Sequence, residues 1–216
     1  MEFRYSDKVL GMRPSIIREL LKQMSDPSLI SFAGGNPAAD SFPVADIRAF
    51  SDKLLETDPV GMLQYSVTEG YGPLRQACRD FANRKWQVVK KSDEVIITSG
   101  SQQVIEFMAK LLCNEGDVVA VEEPAFLGAY NSMRSFGAVL RGVPLQPDGV
   151  DLEALEAAFA AEPKPKFFYC IPNFQNPTGY TTSAAKRKAI YELAVKYGVP
   201  VLEDDPYGAL RISGED

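Results

Sequence analysis

Phe167-Phe168-Tyr169-Cys170-Ile171 runs into Asn176-Pro177-Thr178-Gly179, and Val199-Pro200-Val201-Leu202 runs into Glu203-Asp204-Asp205-Pro206-Tyr207. This stretch decides the fold. Both apolar runs are short and rich in β-branched or aromatic residues, the composition of buried strands. Ser183 to Tyr197, between them, reads as a helix. The unit is β-α-β, with a polar cluster at the C-terminal end of each strand. Open α/β sheets bind ligands at that edge.

The alternation continues upstream. Glu94 to Thr98 reads as a strand and Gln102 to Cys113 as a helix; Val118 to Val121 is a strand, Gly128 to Phe136 a helix, and Val139 to Val143 a strand. Asp151 to Ala160 is a helix with Asp151 as its N-cap. Such a pattern predicts an α/β fold with a largely parallel sheet. Further upstream, Pro73 to Trp86 carries a Leu74/Ala77/Cys78/Phe81 helical face, and Val44 to Leu55 is periodic. Residues 1–30 read as an arm with one amphipathic helix, Pro14 in its first turn and Ile16, Ile17, Leu20, Leu21 and Met24 at helical spacing.

Composition narrows the function. The chain has 216 residues, is 45% hydrophobic and carries a net charge of −6. That suits a cytoplasmic globular domain, and the acidic balance argues against nucleic-acid binding. No apolar run is long enough to span a membrane, and Met1 to Leu10 has no signal-peptide core. Cys78, Cys113 and Cys170 lie in apolar contexts and read as buried thiols of a reducing compartment. There is no histidine, which removes His-based triads and His-metal sites. No metal site is expected.

Four polar clusters fall at strand ends. Ser99-Gly100-Ser101-Gln102-Gln103 joins a strand to a helix; Ser101, Gln102 and the helix N-terminus can hold a phosphate, or simply cap the helix. Phe126, after Glu122-Glu123-Pro124, can be a platform for a planar ligand or ordinary core. Asn176-Pro177-Thr178-Gly179 offers an amide on a constrained turn, or only a turn. Asp204 ends an apolar strand with Tyr207 close behind; it needs a charged or hydrogen-bonding partner, which a protonated heterocycle or a structural ion pair could supply. Together the clusters match a phosphorylated pyridine: anchor the phosphate, stack the ring, bond the phenolic oxygen, hold the ring nitrogen protonated. That ligand is pyridoxal 5′-phosphate (PLP) acting as an electron sink.

At these residues the sequence resembles the fold-type I, class I/II PLP-dependent aminotransferases, nearest the 2-aminoadipate, kynurenine and aromatic aminotransferase branch. The likeness rests on Ser31-Phe32-Ala33-Gly34-Gly35-Asn36-Pro37, Gln64-Tyr65-Ser66, Gly100-Ser101-Gln102-Gln103, Asn176-Pro177-Thr178-Gly179 and Asp204-Asp205-Pro206-Tyr207. It implies a three-layer α/β/α large domain, residues 46–216, incomplete, preceded by an arm and small-domain segment, residues 1–45. It implies that Ser101 and Gln102 bind the cofactor phosphate and that Phe126 stacks on the ring. It also implies that Asn176 and Tyr207 bond the ring 3′-oxygen and that Asp204 pairs with the pyridine nitrogen. Gly34 and Gly35 lie near the substrate in the family. Tyr65 reaches the neighbouring subunit's phosphate, implying a homodimer that uses amino acid and 2-oxo acid substrates. Cis bonds at Asn176-Pro177, and at Glu123-Pro124, are expected on the same ground.

One departure stands out. In the family a Ser-x-Ser-Lys segment follows the Asp-x-x-Tyr motif and its lysine forms the Schiff base. The 216 residues contain no such segment, so no catalytic residue is assigned. Lys186, Lys188 and Lys196 read as a solvated helix face, and Lys164 and Lys166 precede a strand. The chain resembles the N-terminal half of an aminotransferase, expected to be inactive alone, with Glu94–Thr98 short of its sheet neighbour and Val199–Leu202 an exposed edge. Two alternatives share the motifs: a non-catalytic PLP-binding or regulatory module, and a PLP-dependent β-lyase.

Overall fold

The computed structural model describes residues 3–6, 10, 28, 30, 35 and 37–214. The chain forms two compact units, residues 16–98 and residues 1–15 with 99–216. The helix expected from Pro14 to Met24, and Gly34, lie outside the described residues.

The unit of residues 16–98 is helical where it is described. A 3-10 turn at Ala39–Ser41 precedes α1 (Val44–Thr57), α2 (Pro59–Leu63) and α3 (Gly72–Trp86). Asp58 starts α2 by accepting the Gly61 N–H at 2.9 Å, and Pro59 occupies the first turn, where its missing N–H costs nothing. The Leu74/Phe81 face of α3 forms as a helix but packs no residue to burial, and Cys78 on it is exposed rather than buried. Helical periodicity sets which side chains share a face; it does not supply the surface that covers them.

The segment 94–98 is not a strand. A strand needs a neighbour to complete its ladder, and none of the described strands pairs with it. Two of its backbone groups, and two carbonyls just before it, are bonded by other parts of the same unit. Arg75 Nε donates to the Val95 carbonyl at 2.5 Å, Arg79 donates to the Asp93 and Lys90 carbonyls, and the Ile97 N–H donates to the Glu69 carbonyl at 2.9 Å.

The second unit holds the sheet. α4 (Ser101–Leu112) leads to β1 (Val118–Glu123), α5 (Leu127–Ser135), β2 (Val139–Gln146), β3 (Gly149–Val150), α6 (Leu152–Ala160), β4 (Phe168–Cys170), α7 (Ala184–Tyr197) and β5 (Val201–Glu203). The spatial order is β3-β2-β1-β4-β5, with only the β2–β3 pair antiparallel. The short β2–β3 hairpin was not legible in the sequence. Asp151 caps α6 and Ser183 caps α7 through side-chain oxygens, as Asp and Ser do best. β5 forms one edge, with Val201 exposed.

Strand side chains alternate between two layers. Val119, Val121, Phe167, Tyr169 and Ile171 pack against Ile105 and Ala109 of α4 and Ala129 and Met133 of α5. Ala120, Phe168 and Cys170 face the other way, onto Leu155 and Phe159 of α6 and Ile190 and Ala194 of α7. The result is helix, sheet, helix. The sheet order fixes where a ligand can sit. From β1 the chain moves outward to β2, then returns to the opposite side of β1 as β4 and continues outward to β5. The two directions part between β1 and β4, and a crevice opens outside the C-terminal ends of strands at such a point.

Candidate cofactor site at the strand ends

The segments leaving β1, β4 and β5 at their C-terminal ends carry Phe126, Asn176, Asp204 and Tyr207, and α4 begins beside them with Ser101 and Gln102. Asp204 follows β5 and its N–H donates to the Cys170 carbonyl at 2.9 Å, which extends the ladder and fixes the residue beside β4. Its side chain is buried, 8% exposed, and Oδ2 accepts the Tyr169 hydroxyl at 2.9 Å. Burial first, and the facing Asp204 carboxylate second, push the Tyr169 phenol well above the ordinary tyrosine range. Tyr169 therefore keeps its proton and donates. The described residues bring no second donor to Oδ1, so the carboxylate retains an acceptor for a ligand.

Ser101 opens α4. Its N-cap is Gly100 at φ 77°, in the left-handed region that a side chain would disfavour. The first turn contains no acidic residue, so none of its own side chains competes for the terminal N–H groups and the helix dipole. Gln102 differs from the expectation: its amide donates to the Gly128 carbonyl at 3.2 Å and to Ser132 Oγ at 2.5 Å, tying α4 to α5. Gly128 shows how near Phe126 comes. A Cβ there would collide with the Phe126 ring and with Gln102 Oε1. Phe126 is half-buried against the α4/α5 core, so it is at once core and available face, and Tyr207 packs on the same cluster.

Asn176 is half-buried on a turn held by Gln175. Gln175 Oε1 accepts the Thr178 N–H at 3.0 Å and the Thr178 hydroxyl at 2.7 Å, and the Gly179 N–H donates to the Gln175 carbonyl at 2.6 Å. Asn176-Pro177 and Glu123-Pro124 are both cis, as expected, and Glu162-Pro163 is a third cis bond. The loop after β5 is tied to the loop after β4. Asp205 Oδ1 accepts Asn173 Nδ2 at 3.0 Å and the Gly208 N–H at 2.8 Å, while Arg187 donates to Asn173 Oδ1 at 2.7 Å and to the Pro172 carbonyl at 3.0 Å.

These groups make a ligand profile: a helix N-terminus free of acids, an aromatic face, an amide on a braced turn and a buried, phenol-bonded carboxylate. The family model for aminotransferase class I and II matches residues 27–216. The chain belongs to the class I and II aminotransferases. An aromatic-amino-acid aminotransferase of Thermococcus litoralis is 37% identical over 98% of the chain, and a 2-aminoadipate transaminase of Thermus thermophilus is 39% identical over 92%. A kynurenine aminotransferase of Pyrococcus horikoshii, solved in complex with PMP, superposes with a TM-score of 0.90 at 37% identity over 98% of the chain. The chain covers 52%, 48% and 53% of these proteins respectively, so it spans about half the length of the relatives it matches.

Two further expected residues, Gly35 and Tyr65, belong to the helical unit. Gly35 is exposed, with open space where a Cβ would be, and Tyr65 is 99% exposed. Four lysines of the sheet unit are engaged by other side chains. Lys186 is buried, 9% exposed, not on a solvated face, because its ammonium reaches Asp148 at 2.8 Å and Gln146 Oε1 at 2.6 Å. Lys188 pairs with Glu192, Lys196 with Glu156 and Lys166 with Asp117. Among the described residues no group of three or more His, Cys, Asp or Glu is placed to hold a metal ion, and no helix is long and apolar enough to cross a membrane. Tyr169, Glu122 and Gln175 are the residues that sequence reasoning missed. The available signal was polarity out of place: a phenol inside the 167–171 strand and a carboxylate closing the apolar run 118–121 each require a partner.

Proposed function

We propose that the protein is a PLP-dependent aminotransferase, moving an amino group between an amino acid and a 2-oxo acid, and that this chain supplies the grip on the cofactor. The observation that carries the reading is the buried Asp204 carboxylate beside the β1/β4 switch point, held by Tyr169 with one oxygen remaining. PLP, when bound, supplies the electron sink for reactions at the amino acid's α-carbon. The chain's own residues position it. Asp204 keeps the proton on the ring nitrogen, and Tyr169 orients Asp204. Phe126 stacks on the ring, and Asn176 and Tyr207 donate to its 3′-oxygen. Ser101 and the Ser101 and Gln102 N–H groups hold the phosphate. Tyr65, exposed on its own subunit, reaches the phosphate of a second copy, so the assembly is a homodimer, and the Gly34-Gly35 segment borders the substrate. The named relatives point to aromatic or 2-aminoadipate-type amino acids. The reacting lysine is not among these 216 residues, which contain no Ser-x-Ser-Lys segment.

Asp204→Asn in the full-length protein tests this. A neutral amide cannot hold the ring proton by charge, and the loss of a preorganised electrostatic group costs about 3–4 kcal/mol, or about 100- to 1,000-fold in kcat. The melting temperature should stay near the parent's. Transamination within a few-fold of the parent would remove Asp204 from the role and the reading with it.

A further inference from the structure

Glu122 is the largest polar commitment in the sheet that the assigned roles leave unused. It is the penultimate residue of β1, it is 1% exposed, and among the described residues no cation lies against it. Its Oε2 accepts the Ile171 N–H at 3.1 Å and Gln175 Nε2 at 3.1 Å. Gln175 Nε2 also donates to the Pro124 carbonyl at 2.7 Å, and its Oε1 takes both donors of Thr178. The carboxylate thus terminates a chain that runs through one amide to the turn bearing Asn176, and through Pro124 to the segment bearing Phe126. Gln175 is itself buried, so the relay has no water to substitute for a missing partner.

We propose that Glu122 is a positioning residue for the cofactor ring, acting through Gln175 to set how firmly the Asn176 turn is held. The inference rests on the PLP reading given above. A carboxylate accepts hydrogen bonds about twice as strongly as a neutral group, so the grip follows the charge of Glu122. Burial pushes its carboxyl up to about 7, against the opposing effect of the Ile171 and Gln175 donors. The charge therefore changes near neutrality. The titratable groups facing it are Tyr130 of α5, Tyr169 and Cys170 of β4 and the neighbouring Glu123, with Asp204 behind the Tyr169 hydroxyl. Burial raises Tyr130, Tyr169 and Cys170, so these three stay protonated where Glu122 ionises.

The test uses the full-length protein. Amide hydrogen exchange at Thr178 and Gly179 is measured without PLP, and PLP affinity separately, for the parent, Glu122→Gln and Thr178→Val between about pH 5.5 and 8.5. In the parent, exchange corrected for intrinsic rates should slow about tenfold as Glu122 ionises. In Glu122→Gln it should be fast and flat with pH, while β1 and β4 amides keep their protection. PLP should bind both variants about tenfold more weakly, the scale of weakening or losing a hydrogen bond to a charged or hydroxyl group in the relay. Unchanged turn exchange in the variants overturns the proposal. So does equal loosening of β1 and β4, which would mean plain structural support, or a loosened turn with parental PLP affinity. A parent that binds no PLP at all overturns the cofactor reading itself. A parent that binds PLP, with variants that match it, overturns only the role of Glu122.

Discussion

The two units use the same ingredients to different ends. Residues 99–214 bury two clusters around a sheet, with Tyr169, Phe159, Phe167 and Phe168 all fully enclosed. The described residues of 16–98 include three helices and not one buried residue. Phe50, Leu54, Leu74 and Phe81 remain exposed on helices of 14 and 15 residues. Local signals are enough to make a helix. Burial needs a second surface, and in the sheet unit the parallel strands supply it on both faces.

The largest expected effect separates the units directly. Phe168→Ala empties a site enclosed by Phe159, Ile190 and the sheet, and should cost about 3–5 kcal/mol, read as a fall in the denaturant midpoint. Leu74→Ala on α3 should cost less than about 1 kcal/mol, because an exposed side chain leaves no cavity. A loss at Leu74 as large as at Phe168 would show that another surface covers α3, and the contrast would be wrong.

A second effect belongs to the sheet unit alone. Glu122 in the folded protein has its carboxyl raised from 4.5 to about 7. A raised carboxyl stabilises the fold below the unfolded value and loses that contribution as pH climbs through the folded one. Stability from Glu122 is therefore full below about pH 4.5 and gone above about pH 7, a change on the order of 3 kcal/mol. Urea midpoints of Glu122→Gln against the parent across that window should differ by this slope. Parallel curves would mean Glu122 does not titrate where its burial places it.

Smaller effects sharpen the boundary. Asp151→Ala removes the cap that accepts the Ala154 N–H at 2.9 Å and should cost about 1 kcal/mol by thermal melting. Glu94→Gln breaks the exposed Arg75–Glu94 pair of the helical unit and should cost less than about 0.5 kcal/mol, shrinking further with added salt. A cost above that of Asp151→Ala would mean the arginine-held segment 94–98 is more tightly built than its exposure implies.

How much could be read in advance follows the same division. Helices from 101 to 197 matched expectation within a residue or two because caps and 3.6-residue periods are local. Lys186 could not be read: a lysine at helical spacing shows no sign that Asp148 and Gln146 wait on the adjacent hairpin. Nor could Cys78, whose apolar neighbours share its face but cover nothing. Gln102 was placed correctly at the start of α4, yet its side chain is spent on Gly128 and Ser132 from a helix 26 residues away.

By itself the sequence determined the alternation of strands and helices, the cap at Asp151, the turn at Asn176-Pro177 and the set of polar residues at strand ends. Each depends on near neighbours: backbone propensity, side-chain period and turn chemistry. Only the tertiary structure decided that residues 94–98 stay out of the sheet, that β1 and β4 are adjacent, that Tyr169 holds Asp204 and that Glu122 reaches Gln175. Those outcomes depend on which strands become neighbours. A ladder or a buried hydrogen bond forms only when a distant segment arrives to complete it, and the energy of leaving it incomplete is what selects the pairing.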